Sequence, residues 1–212
     1  MSATRGGLSG RRRLCERCGR PLIACWCACV RRVDNRSALL ILQDPDEAVQ
    51  AKGTAALLAR CLSRVELRVG ERFDPPRSVE GLVLLYPRTP DNAPIRSLPQ
   101  REASTVASAV STTLVVLDGT WRRSRRLLAL NPWLQTLTRF ALEAPPPSRY
   151  SIRRAQADSQ RSTLEACALA LAAIDDDEVR YAPLWQAMDD FVALQRRLAP
   201  SPAATHLVHR AE

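Results

Sequence analysis

Three short apolar runs divide the first part of the chain into segments. They are ALLIL at 38–42, LVLLY at 82–86 and TLVVL at 113–117. Each run is short and continuous, and a chain-breaking sequence follows it, which is typical of strands buried on both faces of a parallel sheet. The pattern therefore predicts three buried parallel strands.

In the segments between and after these runs, apolar residues recur at helical spacing. Ser162 and Glu165 form a capping-box pattern where one of these segments begins. The alternation of strand and helix predicts an α/β fold with a mostly parallel sheet. Helices are predicted at 48–62, 99–110, 121–130, 162–174 and 181–198.

Polar sequences follow the three predicted strands, at 43–47, 86–90 and 118–121. Ligands of open α/β sheets bind at the carboxyl ends of the strands, so these segments are the default ligand site. Asp118 opens the last of them. Taken alone, Asp118 is best explained as a cap of the next helix, a role that Thr120 could share.

Positive charge is concentrated in two parts of a chain whose formal net charge is +9. Residues 1–36 carry nine arginines against two acidic residues, and residues 118–154 carry eight arginines against two. Lys52 is the only lysine in the sequence, and the other basic residues are arginines. A GC-rich genome explains this preference for arginine, but it does not explain why the arginines are clustered. Arginine suits phosphate oxygens and stacks on bases, so the clusters indicate a nucleic-acid partner.

The length of 212 residues allows one substantial domain with a small appendage. No apolar run approaches the roughly 18 residues of a membrane span, and the N-terminal sequence lacks the apolar region of a secretory signal. We therefore expect a soluble, cytoplasmic protein. Its expected parts are a basic segment with a zinc module at 1–36, an α/β domain at 37–199 and a loose tail at 200–212.

Five of the seven cysteines lie between Cys15 and Cys29. In a cytosolic chain such a cluster is more typical of a metal site than of disulfides. Cys15 and Cys18, followed by Cys25 and Cys27, supply four thiolates for a closed tetrahedral zinc site, in which Cys29 could replace Cys27. A closed site predicts a structural Zn²⁺ ion that folds the N-terminal segment and takes no part in chemistry.

Several motifs occur together in one order along residues 15–174. The set resembles the DTW-domain family of tRNA-uridine aminocarboxypropyltransferases. That resemblance implies a fold similar to the knotted, SPOUT-like α/β methyltransferases. One position departs from the family pattern, because Asp44 stands where the family usually has a histidine. The motifs are CERCGRPLIACWC, LQDPDE, LLYP, LDGTW, NPWL, SRYSIR and STLEA.

The resemblance also implies a reaction and the residues that perform it. The family transfers the 3-amino-3-carboxypropyl group of S-adenosylmethionine to N3 of a uridine in tRNA, forming acp3U and releasing methylthioadenosine. The weakly acidic N3–H must be deprotonated and aligned with the leaving sulfur, which would make Asp118 the base or orienting acceptor. Glu47 is the second catalytic candidate, because it is the acidic residue that matches the glutamate of the family's pattern after the first strand. The residues expected to bind S-adenosylmethionine are Leu117, Gly119, Thr120, Ser148, Arg149, Tyr150, Ser162, Thr163 and Glu165.

Arginines after the DGTW motif are the candidates for binding RNA phosphates. Arg122, Arg125 and Arg126 share one face of the predicted helix, without compensating acids nearby in the sequence. Arg153, in a later loop, is a further candidate for binding RNA or the donor's carboxylate. Trp121 is instead expected in the core, because Trp is more often buried than used as a stacking platform.

Two other functions remain compatible with the sequence. The first is an S-adenosylmethionine-dependent enzyme of the same fold that acts on rRNA or transfers a methyl group. The second is a zinc-bearing RNA-binding protein without catalysis. The expected partners are tRNA and S-adenosylmethionine, with neither a membrane nor DNA. We expect a monomer, while a dimer and the position of the modified uridine stay open.

Overall fold

The computed structural model describes residues 13–87, 112–152 and 161–199. The predicted helix at 99–110 and the predicted tail at 200–212 lie outside these residues. The strands are β1 Ala38–Gln43, β2 Val65–Val69, β3 Leu82–Leu85, β4 Thr113–Asp118 and β5 Thr138–Phe140. The α-helices are α1 Pro45–Ala48, α2 Ala55–Cys61, α3 Trp121–Leu130, α4 Thr163–Asp175 and α5 Glu178–Leu198, and short 3-10 helices lie at Leu22–Ala24, Cys27–Cys29 and Pro132–Thr136.

The five described strands form one sheet in the order β2-β1-β4-β3-β5, and every described pair is parallel. The prediction of an α/β fold with a parallel sheet is therefore confirmed. The three predicted strands are the central ones, whereas β2 and β5 at the edges were missed. Glu66 and Arg68 interrupt the apolar pattern of β2, so no apolar run predicted this strand. Charged residues are tolerated here because β2 is an edge strand and is partly exposed to water.

Side chains that alternate along the strands pack into two separate cores. Leu39 and Ile41 of β1 face α2, α4 and α5, while Leu40 and Leu42 face α3 and the segment around Leu134. The sheet is thus the middle of three layers. This arrangement leaves its carboxyl edge uncovered by helices and accessible to the loops that follow the strands.

The single helix predicted at 48–62 is wrong. Helix α1 ends at Ala48 and α2 begins at Ala55, with a loop between them. Gly53 lies within this loop, and glycine costs a helix interior about 1 kcal/mol relative to alanine. The interruption allows residues 52–54 to lie beside the carboxyl ends of the strands.

The later helices follow their predictions closely. Helix α3 begins and ends as predicted, α5 begins three residues before the predicted start, and α4 begins with the predicted capping box of Ser162 and Glu165. Among the described residues, no helix is both long and apolar enough to cross a membrane.

The cysteine-containing segment shares its core with the α/β sheet. Trp26, Cys29 and Val33 are buried in the apolar cluster that includes α5. On the surface, Arg31 forms an ion pair with Asp190 of α5 at 2.5 Å. The cysteine segment therefore packs on helix α5.

Candidate active site

A cavity of about 990 Å³ opens at the carboxyl ends of β3 and β4. Glu47 after β1, Tyr86 after β3 and Asp118 at the end of β4 all line it. The segments that the sequence places at one sheet edge therefore meet here. Ligand pockets commonly measure roughly 300 to 1,000 Å³, so a ligand of nucleoside size fits. The other predicted site residues that line the cavity are Leu117, Gly119, Thr120, Ser148, Tyr150, Ser162 and Thr163.

Asp118 is a buried carboxylate that lines this cavity. The parallel register places Gln43 of β1 beside it, and Gln43 Nε2 donates a hydrogen bond to Asp118 Oδ2 at 2.7 Å. The hydroxyl of Thr163, at the start of α4, donates to Oδ1. The interpretation of Asp118 as a helix cap is wrong, because Thr120 accepts the hydrogen bond from Arg123 N–H that caps α3.

Glu165 lies behind the cavity wall and is almost completely buried. Its carboxylate accepts hydrogen bonds from Ser162 N–H at 2.9 Å and from Arg149 N–H at 2.7 Å. The hydroxyl of Ser148 donates to both carboxylate oxygens. Glu165 thus joins the 148–149 segment to the first turn of α4, and this contact places Ser148 and Ser162 at the cavity surface.

Arg149 and Tyr150 are adjacent in the chain but their side chains lie in different places. Tyr150 lines the cavity and donates its hydroxyl to the carbonyl of Lys52. The guanidinium carbon of Arg149 lies 5.1 Å from the ring centroid of Trp185, and Nη1 lies 3.5 Å from Asp189. The side chain of Arg149 therefore lies on α5, not among the residues that line the cavity. The predicted Arg153 lies outside the described residues.

Several cavity residues were not predicted from the sequence. Lys52, Thr54 and Arg161 line the cavity, and the first two come from the loop that interrupts the predicted helix. Gly53 inside a helical pattern was the signal for that loop. The prediction that Trp121 is a core residue is wrong, because its side chain at the first turn of α3 is 46% exposed and contacts Tyr86 edge to face at 6.0 Å.

Arg123 joins the start of α3 to the loop after β1. Its guanidinium lies 2.6 Å from Asp46, 3.5 Å from Asp44 and 3.8 Å from Glu47. Asp44 also caps α1 by accepting from Asp46 N–H, so the aspartate at the family's histidine position has an internal structural role. A Cβ on Gly119 would lie 3.2 Å from Arg123 Cβ, so this glycine permits close packing within the protein.

The three arginines predicted to bind phosphates differ in their surroundings. Arg126 forms an ion pair with Glu71 at 2.9 Å, so the expectation of no compensating acid is wrong for this residue. Arg122 and Arg125 are exposed, and neither forms an ion pair within the described part of the chain. The available positive charge on α3 therefore belongs to Arg122 and Arg125.

The sulfur atoms of Cys15, Cys18, Cys25 and Cys27 all lie within 4.8 Å of one another. The distances from Cys15 to Cys27 and from Cys18 to Cys25 are both 3.8 Å. A tetrahedral zinc site with bonds of about 2.3 Å has sulfur atoms about 3.8 Å apart, so the four thiols fit a metal ion. Cys29 is buried in the apolar core and lies outside this group of thiols, so the geometry favours Cys27 as the fourth ligand.

The turn after Cys15 favours the thiolate form of this cysteine, which is the form that binds a cation. Gly19 has a φ of +69°, a left-handed conformation that favours glycine, and its N–H donates to the carbonyl of Cys15 at 2.8 Å. Hydrogen bonds from the backbone N–H groups of Cys18 and Arg17 lower the pKa of the Cys15 thiol to about 6. Burial and the neighbouring thiols raise the pKa of Cys27 to about 12. A bound cation would stabilise all four thiolates together.

A family model described as the DTW domain matches residues 12–196. The chain belongs to the DTW domain family. This membership confirms the resemblance found in the motifs, and the match includes both the cysteine cluster and the residues of the cavity. No solved structure matches the chain.

Two proteins that share one name are also similar to this chain. A protein of Drosophila melanogaster called tRNA-uridine aminocarboxypropyltransferase 2 is 33% identical over 178 residues, which cover 78% of this chain and 68% of the fly protein. The protein of that name in Mus musculus is 30% identical over 177 residues, which cover 78% of this chain. The match spans only 57% of the length of the mouse protein.

Proposed function

We propose that this chain transfers the 3-amino-3-carboxypropyl group of S-adenosylmethionine to N3 of a uridine in tRNA. The observation that carries the proposal is a buried Asp118, held by two hydrogen-bond donors, at the base of a large cavity. The relatives named tRNA-uridine aminocarboxypropyltransferase 2 support the choice of reaction and of acceptor.

The proposed reaction is a displacement at the methylene next to the donor's sulfonium. A bond forms from uridine N3 to this carbon, the carbon–sulfur bond breaks, and methylthioadenosine leaves with the electron pair. Asp118 accepts the proton that N3 loses in this step, because it is the carboxylate that both lines the cavity and ends a central strand. Gln43 and Thr163 keep its oxygens in place during this step.

The aromatic pair at the cavity provides a surface for the uridine base. Trp121 is half-exposed, and Tyr86 supports it from the side. Stacking on an aromatic ring contributes about 1 to 3 kcal/mol per base in complexes with single-stranded nucleic acids. Arg122 and Arg125 follow Trp121 along α3, and their exposed charge supports the proposal that they bind phosphates next to a stacked base.

The metal that we propose for the cysteine cluster is a structural Zn²⁺ ion. Cys15, Cys18, Cys25 and Cys27 would hold it with four sulfur ligands, which leaves no position for a substrate. We also propose the knotted, SPOUT-like type of chain path, with which the parallel order of the five described strands is compatible.

Labelled S-adenosylmethionine separates this function from its alternatives. Unmodified tRNA and rRNA are each incubated with protein and donor labelled in either the methyl or the carboxyl carbon. Label that reaches tRNA only from the carboxyl carbon supports the proposal. Label that reaches RNA from the methyl carbon would identify a methyltransferase. Label that reaches rRNA alone would identify a different acceptor. Binding of tRNA without transfer of any label would identify an RNA-binding protein without catalysis.

A further inference from the structure

Arg20 extends from the cysteine segment to a distant loop of the α/β domain. Its Nη1 donates to the carbonyl of Ala51 at 3.0 Å and its Nη2 to that of Gln50 at 3.1 Å. Two donors of one rigid guanidinium thus bind two successive carbonyls, which defines the direction of the loop as well as its position. The carbonyl of Arg20 accepts from Cys15 N–H at 2.7 Å, so Arg20 itself belongs to the turn that carries two metal ligands.

The loop that Arg20 binds forms one wall of the cavity. Lys52 and Thr54 line the cavity. The carbonyl of Lys52 accepts from the Tyr150 hydroxyl, and its Nζ donates to the carbonyl of Ile152 at 3.0 Å. The hydroxyl of Thr54 accepts from Leu164 N–H at 3.2 Å. A displacement of this loop would therefore disturb two neighbouring walls, the 150–152 segment and the start of α4.

Few other contacts hold the outer end of the loop. Helix α1 has already ended, and Val49 is 79% exposed. Gln195 of α5 donates to the carbonyl of Ala51, but at 3.5 Å, the longest distance at which such a contact counts as a hydrogen bond. The other hydrogen bonds of Gln50 are local, with Asp46, Glu47 and Gly53. The pair from Arg20 is thus the strongest described contact between residues 50–51 and residues distant in the sequence.

We propose that Arg20 is a positioning residue that couples the metal site to the wall of the donor-binding cavity. A metal ion that holds Cys15 and Cys18 keeps Arg20 in place, and Arg20 keeps residues 50–54 in the conformation that binds S-adenosylmethionine. The identity of the ligand rests on the proposed function. Because binding free energies are reciprocal, S-adenosylmethionine must also raise the affinity for the metal, and we expect this gain to be measurable as a slower loss of the ion.

Calorimetric titration with S-adenosylmethionine tests the coupling without measuring turnover. Arg20→Ala is compared with Arg17→Ala, which removes an exposed arginine of the same turn whose side chain forms no hydrogen bond or ion pair within the described residues. Metal content is measured first, and both variants are expected to keep the ion. We expect the Kd to rise about tenfold in Arg20→Ala and less than about twofold in Arg17→Ala.

The rate of metal loss to a chromogenic chelator gives a second readout. S-adenosylmethionine should slow this loss several-fold in the wild type and in Arg17→Ala. It should have no effect on the rate in Arg20→Ala, whose loop no longer contacts the metal-binding turn. Equal protection by the donor in all three proteins would overturn the proposed coupling.

Hydrogen exchange without any ligand separates a failure of the coupling from a failure of the proposed function. We expect faster amide exchange at residues 49–54 in Arg20→Ala than in the wild type. Unchanged exchange there would overturn the role of Arg20, whatever the ligand. Faster exchange, combined with a wild type that does not bind S-adenosylmethionine, would support the positioning role and overturn the proposed donor.

Discussion

The cysteine cluster and the cavity at the sheet edge are built in opposite ways. The four metal-binding candidates lie within residues 15–27 and are brought together by a single tight turn and two 3-10 helices. The cavity instead collects residues from Glu47 to Ala166, and strand register and helix packing decide their positions. The cluster should therefore depend on an ion for its order, whereas the cavity depends on the core. Changes at the first should affect metal content and stability, and changes at the second should affect chemistry.

Replacement of Asp118 should separate the two regions most strongly. Asp118→Asn should lower the single-turnover rate of transfer about a thousandfold, because a general base contributes roughly 10² to 10⁴ to such a step. Metal content and the melting temperature should stay close to wild type. Asp189→Asn, an exposed carboxylate on α5, is the matched control and should keep full activity. A fully active Asp118→Asn variant would rule out the assigned role.

Replacement of a metal ligand should give the reverse result. Cys27→Ser should lose the bound ion and lower the melting temperature by roughly 10 °C, because a structural metal contributes to folding. Cys29→Ala is the matched change, and it should keep about one metal ion per chain, since Cys29 is buried apart from the four ligands. Metal analysis after gel filtration measures both. Retention of the ion by Cys27→Ser and its loss from Cys29→Ala would reverse the assignment.

Removal of one partner of Asp118 should have a smaller effect. Thr163→Val deletes the hydroxyl that donates to Oδ1 and keeps the shape of the side chain. We expect the transfer rate to fall by about tenfold to a hundredfold, because the carboxylate loses its alignment. Combination with Asp118→Asn should add little further loss, since both changes act on one interaction. Independent, additive effects in single-turnover assays would contradict a shared role.

The smallest effect is expected on the surface next to the cavity. Changing Arg122 and Arg125 together to alanine should weaken tRNA binding about tenfold and lower the salt dependence of the binding constant by about two units. Arg126→Ala should weaken binding less, because Arg126 already pairs with Glu71. Filter binding at several salt concentrations measures both. An equal loss of tRNA affinity in the two variants would show that Arg126 binds RNA despite its ion pair with Glu71.

The predictions from sequence succeeded where neighbouring residues decide the structure. Ser162 and Glu165 formed the predicted capping box, and helix α3 spans the predicted residues. Apart from the helix at 48–62, where Gly53 was a local signal, predictions failed where distant residues decide. The exposure of Trp121 depends on which side of α3 faces the sheet, and the pairing of Arg126 depends on a glutamate that precedes it by 55 positions. Neither relation leaves a local signal in the sequence.

The sequence by itself determined the three central strands, the later helices, the cysteine spacing and the motifs of the DTW family. These features depend on hydrophobic periodicity, capping and ligand geometry, which act over a few residues. Only the tertiary structure decided that Gln43 and Thr163 hold Asp118, that Cys29 belongs to the core, and that Arg20 binds the loop beside the cavity. These contacts join residues far apart in the chain, and the parallel sheet with its two cores determines which of them meet.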